Sequence, residues 1–280
     1  MFTASPLRRS LVRGRWLPAG RTKTRVTSSQ VLARTPQEAS SRRYSLLVTT
    51  DPDEVRAAQR LRYRVFADEL GAVLHTPEPG VDVDRYDAHC DHLIVREDTT
   101  GEVVGTYRML PPERAVQAGS LYSEGEFALE ALAPLRSSLV ELGRSCVHPD
   151  HRDGAVVTLV WTGIARYMLL SGNRWLAGCA SVALGDGGGL AAAVWDRVLD
   201  RHFAPEPYRV RPLQAWDPLG VERPARVKLP ALLQGYLRLG AWVCGPPAHD
   251  PDFDCADFFV LLGLDHVDER YARYFLGGAA

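Results

Sequence analysis

The 280-residue chain is predicted to form a mixed α/β fold. From residue 44 onward, short β-rich runs alternate with segments whose apolar residues recur at helical spacing. A hairpin comes first and strand–helix–strand crossovers follow, which indicates a mixed sheet flanked by helices. The composition, 46% hydrophobic and 24% charged, is typical of a globular protein. No uncharged stretch is longer than residues 154–165, so a transmembrane enzyme is not expected.

The first helix is predicted together with its start and its buried face. After a strand at residues 44–49, Asp51 supplies an N-cap and Pro52 occupies the first helical position, where its missing N–H costs nothing. Apolar residues then recur at helical spacing, and Arg62 falls inside that apolar stripe. A buried arginine is seldom left unpaired, so Arg62 either has an anionic partner or extends past the core to solvent.

The remaining elements follow from β-rich runs, helical periodicity and turn residues. A turn at Thr100-Gly101 joins two strands, and Pro111-Pro112 ends the second one. The glycine run at 185–189 matches no phosphate-loop pattern and is read as a strand-to-helix turn. The predicted strands cover residues 92–96, 103–110, 139–147, 175–184, 241–244 and 257–264, with an extended segment at 207–214. The predicted helices cover residues 155–171, a segment that ends at 202, then 229–239 and 269–275.

Residues 1–43 differ in charge from the rest of the chain. They contain ten Lys or Arg residues against the single acidic residue Glu38. Because this segment has no helical periodicity and few aliphatic side chains, we predict a disordered basic arm that precedes one domain at residues 44–280. Such an arm is a solvated tail, a transit peptide or a contact to anionic lipid. No basic patch interleaved with aromatic residues follows it, so nucleic acid is not expected as a partner.

The five cysteines favour a reduced, cytoplasmic protein. They are odd in number and no pair has the C-x-x-C spacing, so neither a disulfide framework nor a zinc finger is predicted. A nucleophilic cysteine needs a base and an orienting group, and no such arrangement is visible around Cys146. We therefore expect Cys146 in a buried strand and not in covalent catalysis. The five are Cys90, Cys146, Cys179, Cys244 and Cys255.

The segment ELGRSCVHPDHRDG, which begins at Glu141, carries the strongest chemical signal. A strand leads through a Pro-containing loop, Arg152 and Gly154 into a helix N-terminus, where N–H groups and the helix dipole favour an oxyanion or a phosphate. Glu141 and Arg144 are three residues apart, which places them on opposite faces of a regular strand. If both serve one site, the strand must bulge near residues 142–143. Such a bulge would free an N–H to polarise an acyl carbonyl.

Four carboxylates crowd the segment between residues 81 and 92. They either hold a cationic substrate or belong to a polar loop in which one of them caps the strand. His89 and His92 lie nearby, but the spacing does not match an EF-hand loop, so no metal site is predicted. The four acids are Asp82, Asp84, Asp87 and Asp91.

Six stretches of the sequence carry a likeness to a known family. They are RYRVF at 62–66, DRYDAHCDHLIV at 84–95, VGTYRML at 104–110, ELGRSCVHPDHR at 141–152, GYLRLGAWVCG at 235–245 and DPDFDCAD at 250–257. Together they make residues 44–276 resemble the branch of the GNAT superfamily that includes the ornithine-lipid-forming N-acyltransferases, with the acyl-homoserine-lactone synthases as relatives. The last two stretches favour the ornithine branch.

The resemblance implies a GNAT-like acyltransferase fold, in which helices flank a mostly antiparallel sheet that splays at its centre. It also implies an acyl-carrier-protein thioester as donor, an amino-acid amine such as that of ornithine as acceptor, and no bound cofactor. Arg152 and Gly154 would contact the phosphopantetheine arm. The loop that contains them lacks the second glycine of the usual coenzyme A pyrophosphate loop. This departure suits a donor that carries a single phosphodiester. The residues that match the active-site set of the synthase relatives are Arg62, Phe66, Asp84, Asp87, Arg108, Glu141 and Arg144.

The expected reaction is direct attack of the amine on the thioester, without an acyl-enzyme. The acceptor ammonium must lose a proton before it attacks, so Glu141 is expected to serve as base, directly or through water. Arg144 either holds the carboxylate of the acceptor or forms an internal salt bridge. The backbone N–H groups expected to hold the oxyanion are those of Ser145, Cys146 and Val147. The acids Asp84 and Asp87 either orient the cationic substrate or form ion pairs with the arginines Arg62 and Arg108 in a scaffold.

The product of this reaction would be a lipid, so a peripheral contact with the inner face of the membrane is expected, with the basic arm as its hypothetical cause. The helix at 155–171 and the strand at 175–184 contain enough apolar side chains to line an acyl slot. Two alternatives stay open. One is a lactone-type synthase that uses a sulfonium amino acid, and the other is a non-catalytic module that binds acyl carrier protein or lipid.

Overall fold

The computed structural model describes residues 29–35, 42–152 and 154–267 of the chain. A large mixed sheet forms the centre of the fold, and a separate two-stranded sheet pairs Phe127–Ala128 with Arg211–Pro212. The strands are β1 (Gln30–Arg34), β2 (Tyr44–Thr49), β3 (Asp91–Glu97), β4 (Val103–Leu110), β5 (Phe127–Ala128), β6 (Leu139–Val147), β7 (Trp175–Ala183), β8 (Arg211–Pro212), β9 (Trp242–Val243), β10 (Ala248–Asp250) and β11 (Cys255–Gly263). The large sheet has the order β1-β2-β3-β4-β6-β7-β11-β10, and β9 also pairs with β11.

Neighbouring strands of the large sheet run antiparallel, except β6 and β7, which are parallel. Parallel neighbours need a crossover connection, and the helix that follows β6 supplies it. β6 pairs with β7 only from Leu139 to Glu141, opposite Trp175 to Ala177. Beyond Glu141 the two strands separate. The mixed sheet with a central splay, predicted from the sequence, is therefore confirmed.

The first helix begins where the local sequence provides a cap and a proline. Asp51 accepts the N–H groups of Asp53 and Glu54, and Pro52 starts the first helix, as predicted. This helix continues into a π-helical turn at Arg64–Glu69. No helix in the described ranges is long and apolar enough to cross a membrane. The helices are α1 (Pro52–Tyr63), α2 (Pro112–Ala118), α3 (Ala155–Ser171), α4 (Gly189–Arg201) and α5 (Ala231–Arg238).

Both faces of the sheet are covered around β2, because successive strand residues point to opposite faces. Leu46 and Val48 pack into the cluster that contains α3 residues, whereas Leu47 packs into the cluster that contains α1 residues. This double coverage explains why every residue of β2 is buried. It also fixes α1 over β4 and β6, with its arginine-bearing face toward the sheet.

The structure corrects some of the expectations from sequence, and others concern residues that the structure does not describe. The arm at 1–43 was expected to be disordered, yet Gln30–Arg34 forms β1 because it pairs with the edge of β2. Residues 1–28 and 36–41 lie outside the described residues, as does the helix predicted at 269–275. The extended segment at 207–214 contains only the two-residue strand β8. The sequence patterns also missed α2, whose start at Pro112 was read only as the end of a strand.

Candidate active site

A cleft of about 240 Å³ opens where β6 and β7 separate. Just beyond the last paired residues, Leu142 and Gly178 still lie close together. A Cβ atom on residue 178 would lie 2.4 Å from the carbonyl oxygen of Leu142, so only glycine permits this approach. The apolar wall of the cleft comes from the π-helical turn and its end, β6, α5 and the turn after β10. These side chains are Phe66, Leu70, Leu142, Leu232 and Phe253.

β6 carries a β-bulge beside the cleft. Arg144 and Ser145 together face the single residue Tyr107 of β4, which is the register of a bulge. Arg144 has a positive φ of 52°, a conformation that costs a non-glycine residue about 1–3 kcal/mol. A bulge was expected near residues 142–143 if Glu141 and Arg144 served one site; the structure has it at residues 144–145. Its effect is to bring both Arg144 and Ser145 to the cleft.

The edge of β6 that faces the cleft has no strand partner beyond the last residues paired with β7, within the described part of the chain. An unpaired strand edge can donate N–H groups to a carbonyl whose oxygen gains negative charge. Cys146 and Val147 were expected to take part, but they pair with β4 and do not line the cleft. The candidate oxyanion segment therefore moves from 145–147 to 143–145. Its residues on the cleft are Gly143, Arg144 and Ser145.

A buried ion-pair network of arginines and aspartates lies behind the cleft. Arg62 is completely buried and binds Asp87 in a bidentate fashion, with both N–O distances at 2.8 Å. Its Nε lies 2.8 Å from a carboxylate oxygen of Asp82. Arg108 contacts Asp84 at 2.6 Å and Asp87 at 3.3 Å. Burial alone would raise the pKa of Asp87, but the hydrogen bonds and charge of Arg62, with the charge of Arg108, hold it well below its usual value.

Arg144 connects this network to the cleft. Its Nε lies 3.2 Å from Asp82, and its Nη2 lies 3.7 Å from Asp84. The guanidinium also lies over the rings of Tyr122 and Phe253, at 5.0 and 5.3 Å from their centroids. Of the two roles expected for Arg144, the internal salt bridge is therefore present, and the side chain lines the cleft as well.

The network decides between the two roles foreseen for the acids and arginines. Four of the residues expected to bind substrate pair with one another and do not line the cleft. Asp91 is similarly occupied, because Tyr167 donates to it at 2.7 Å and Arg114 forms an ion pair with it. The crowded carboxylates thus hold cations of the protein itself. The four residues placed in this scaffold are Arg62, Asp84, Asp87 and Arg108, whereas Phe66 and Arg144 of the same predicted set reach the cleft.

Glu141 lies behind the cleft wall and is only 4% exposed. Its two carboxylate oxygens accept the backbone N–H groups of Tyr122 at 2.6 Å and Ser123 at 2.8 Å. Burial raises the pKa of Glu141, although these hydrogen bonds oppose the shift. The residue does not line the cleft, so the expected direct proton abstraction by Glu141 is not available. Instead, Glu141 fixes the turn that presents Tyr122 to the cleft.

The cleft has an acidic wall to which no role was assigned from sequence. Asp250 and Asp257 line it, and Glu126 lies beside Asp257. Burial raises the pKa of Glu126, and the charge and hydrogen bond of Asp257 add to this effect. Burial also raises the pKa of Asp257. The stretch DPDFDCAD contains two of these acids, but for Glu126 the sequence offered no signal.

Arg152 lies at the N-terminal end of α3, as predicted, but its guanidinium is already engaged. Two of its nitrogens contact Glu69 at 2.6 and 2.8 Å, and its Nε donates to the carbonyl of Val147. Gly154 is the N-cap of α3, with a positive φ of 94°. Because the side chain of Arg152 is 45% exposed, a phosphate can reach it by exchanging with Glu69.

Neither cysteine near the cleft is an activated nucleophile. Cys146 belongs to the apolar cluster under α1, and burial raises the pKa of its thiol to about 12. Cys179 lines the cleft, but burial raises its pKa well above the usual value. Both thiols stay protonated near neutral pH, which agrees with a mechanism without an acyl-enzyme.

Comparison with known families gives a match to a domain model and several matches to relatives and solved structures. A model of the acetyltransferase (GNAT) domain matches residues 61–162, which run from α1 into α3. Among solved structures, a CoA-dependent acyl-homoserine lactone synthase with SAM and isopentyl-CoA has a TM-score of 0.49 and 16% sequence identity, covering 81% of this chain and 82% of that one. The matched domain and the splayed mixed sheet are those of a GNAT-like acyltransferase fold.

Sequence relatives narrow this class. The chain is 35% identical over 246 residues to the L-ornithine N(alpha)-acyltransferase of Rhodobacter capsulatus, covering 83% of this chain and 94% of the relative. It is also 35% identical to the enzyme of the same name from Rhizobium meliloti, covering 79% of this chain and 80% of the relative. The chain belongs to the L-ornithine N(alpha)-acyltransferase family.

Proposed function

We propose that this enzyme transfers a 3-hydroxyacyl chain from the thioester of an acyl carrier protein to the α-amine of ornithine. One observation supports this function above the others. The cleft between β6 and β7 combines a main-chain edge able to polarise a thioester with two carboxylates, Asp250 and Asp257, able to receive a cationic amine. The names of the sequence relatives supply ornithine as the acceptor.

The proposed chemistry is a direct displacement at the thioester carbon. The amine nitrogen forms the new C–N bond, the C–S bond breaks, and the pantetheine sulfur leaves as a thiolate that takes up the second proton lost by the nitrogen as the amide forms. As negative charge develops on the carbonyl oxygen, N–H groups of residues 143–145 stabilise it, and each such donor contributes about 3–4 kcal/mol. The protonated state of Cys179, which lines the cleft, favours this route over a covalent intermediate.

The acceptor amine must be neutral before it attacks, so a proton acceptor is required. Glu141 does not line the cleft, and Asp250 does. One oxygen of Asp250 accepts the N–H groups of Asp252 and Phe253, which holds the carboxylate in place. We assign removal of the ammonium proton to Asp250, which would act as the base through a water molecule. This choice replaces the base expected from the sequence.

An acyl carrier protein is the proposed donor because its pantetheine arm carries one phosphodiester, whereas coenzyme A carries a pyrophosphate. Arg152 and the N-terminus of α3, capped by Gly154, offer a contact for one phosphate. Binding would exchange the ion pair between Arg152 and Glu69 for a pair with the phosphate. A comparison of acyl-carrier-protein and coenzyme A donors, each with Arg152→Ala as variant, tests this assignment.

The product would be the first intermediate of ornithine lipid, and the enzyme would work at the inner face of the membrane. Membrane contact rests on the charge of the basic arm, most of which lies outside the described residues. Because β1 is part of the sheet, the informative truncation removes residues 1–28 and keeps β1. Unchanged sedimentation of this truncated protein with anionic vesicles would contradict the membrane role of the arm.

The central experiment incubates the purified protein with 3-hydroxyacyl-acyl carrier protein and a panel of amino acids while free thiol release is followed. We expect thiol release with ornithine, and mass spectrometry should identify an Nα-acyl product. A diffusible lactone formed from a sulfonium amino acid would favour the lactone-type synthase instead. Absence of thiol release with every acceptor would favour a non-catalytic binding module.

A further inference from the structure

The acidic wall of the cleft is unlike the ion-pair network behind it. Among the described residues, no ion pair involves Glu126, Asp250 or Asp257, whereas the buried aspartates of the network each face an arginine. Glu126, Asp257 and Cys179 have ligand atoms that all lie within 4.8 Å of one another. The negative charge left without a partner is therefore concentrated at this wall.

Asp257 is the member best placed to meet a ligand. It lines the cleft and is only 3% exposed, and its Oδ1 has no hydrogen-bond partner within the described ranges. Beside it, Oε2 of Glu126 faces no donor among the described residues other than the carboxyl group of Asp257 and the thiol of Cys179. Buried polar atoms without partners are rare in proteins and costly when nothing satisfies them. A buried carboxylate oxygen without a partner on the cleft, with a second carboxyl group next to it, indicates a bound donor group.

We propose that Asp257 and Glu126 bind the side-chain ammonium of the acceptor and so select ornithine over amino acids with an apolar side chain. This inference rests on the proposed function, which supplies the acceptor. An ammonium group has three donors and one positive charge, and it therefore matches two adjacent carboxyl groups that carry one net negative charge between them. Arg144 lines the same cleft and offers a positive charge to the α-carboxylate of the acceptor.

The position of Asp257 on β11 explains why the ammonium pocket is rigid. Asp257 pairs with Ser181 of β7 in the antiparallel ladder, and Phe259 pairs with Cys179 two residues further along. A pocket on paired strands changes little in shape, so an apolar side chain would leave the carboxylate buried and unpaired. Sites that hydrogen-bond a substrate group reject analogues without that group by large factors, here at least about 100-fold.

The test compares ornithine with norvaline, which has the same carbon chain but no terminal ammonium. The wild-type enzyme should show kcat/KM for ornithine at least about 100-fold above that for norvaline. Asp257→Asn should lower kcat/KM for ornithine by about 30-fold or more and leave that for norvaline unchanged or raised, so the preference collapses. Glu126→Gln should shift the preference in the same direction but by a smaller factor, because burial and the charge of Asp257 raise the pKa of Glu126 and make it the protonated member of the pair. Asp265→Asn, a surface acid paired with Arg174, is the control and should leave both values unchanged.

A second measurement, calorimetric binding of both amino acids to each variant, does not depend on turnover. Binding of ornithine should be weakened by Asp257→Asn and Glu126→Gln, whereas binding of norvaline should not. An equal loss for both amino acids, or a wild-type enzyme without preference, would overturn the inference while the proposed function stands. A wild-type enzyme that acylates no amine but still binds ornithine through Asp257 would overturn the proposed function alone.

Discussion

Replacement of Asp87 by asparagine removes one charge from the buried ion-pair network and leaves Arg62 without its bidentate partner. Arg62 has no solvent exposure, and two of its hydrogen bonds, both 2.8 Å long, end on Asp87. Arg108 would lose a further contact at 3.3 Å. Breaking a buried pair by removal of one partner costs about 3–5 kcal/mol, because the network of three arginines and the two remaining aspartates, Asp82 and Asp84, then carries a buried net positive charge. This is a large part of the ~5–15 kcal/mol that stabilises a typical domain.

The assay is urea unfolding followed by the fluorescence of the six tryptophans. Asp265→Asn is the matched control, because it breaks an ion pair between Asp265 and Arg174 that is about half exposed and should cost no more than about 1 kcal/mol. A free energy of unfolding that falls by less than about 1 kcal/mol in Asp87→Asn would refute the reasoning, since the network would then not depend on this charge.

The remaining predictions concern the same scaffold and the cleft. Folding lowers the pKa of Asp87, so its contribution to stability is present above its unfolded pKa of about 3.9 and is lost as the pH falls toward the folded pKa. The free energy of unfolding should therefore fall more steeply with decreasing pH in the wild-type protein than in Asp87→Asn. Glu141→Gln should lower acyl transfer by releasing the turn that carries Tyr122, yet the pH–rate profile should keep its shape, and a shifted acidic limb would restore Glu141 as base. Gly178→Ala should abolish acyl transfer, because its Cβ would meet the Leu142 carbonyl at 2.4 Å and force β6 from β7; full thiol release would show that the approach is dispensable. Cys146→Ala should retain acyl transfer, and a complete loss of thiol release in a folded variant would argue for a covalent step.

The sequence could predict features that depend on neighbours along the chain. The cap at Asp51 and Pro52 requires only local residues, and the structure confirms it. The bulge was expected only if Glu141 and Arg144 served one site, because a regular strand cannot bring residues three apart to one side; the strand bulges at 144–145 although Glu141 does not line the cleft. Burial of Arg62 followed from helical periodicity, but the periodicity left open whether Arg62 has an anionic partner or extends past the core to solvent.

The roles of individual acids could not be predicted in the same way. Asp84 and Asp87 had two chemically reasonable roles, and only the arrangement of three arginines around them shows that they belong to the scaffold. Glu141 carries the family likeness of an active-site acid, but the backbone N–H groups that occupy its oxygens come from a turn that no pattern predicted. The partner of a buried charge depends on tertiary packing, which cannot be read from the spacing of residues along the chain.

By itself the sequence determined the mixed α/β class, the crossover at the centre of the sheet and the segments that resemble ornithine acyltransferases. These depend on periodicity, capping and short motifs, which act over a few residues. Only the tertiary structure decided which carboxylates face the cleft. Asp257 reaches it because β11 inserts beside β7, and Glu126 reaches Asp257 from a distant loop. Pairing between strands far apart in the chain is selected by the global packing of the sheet, so the acidic wall has no local signature.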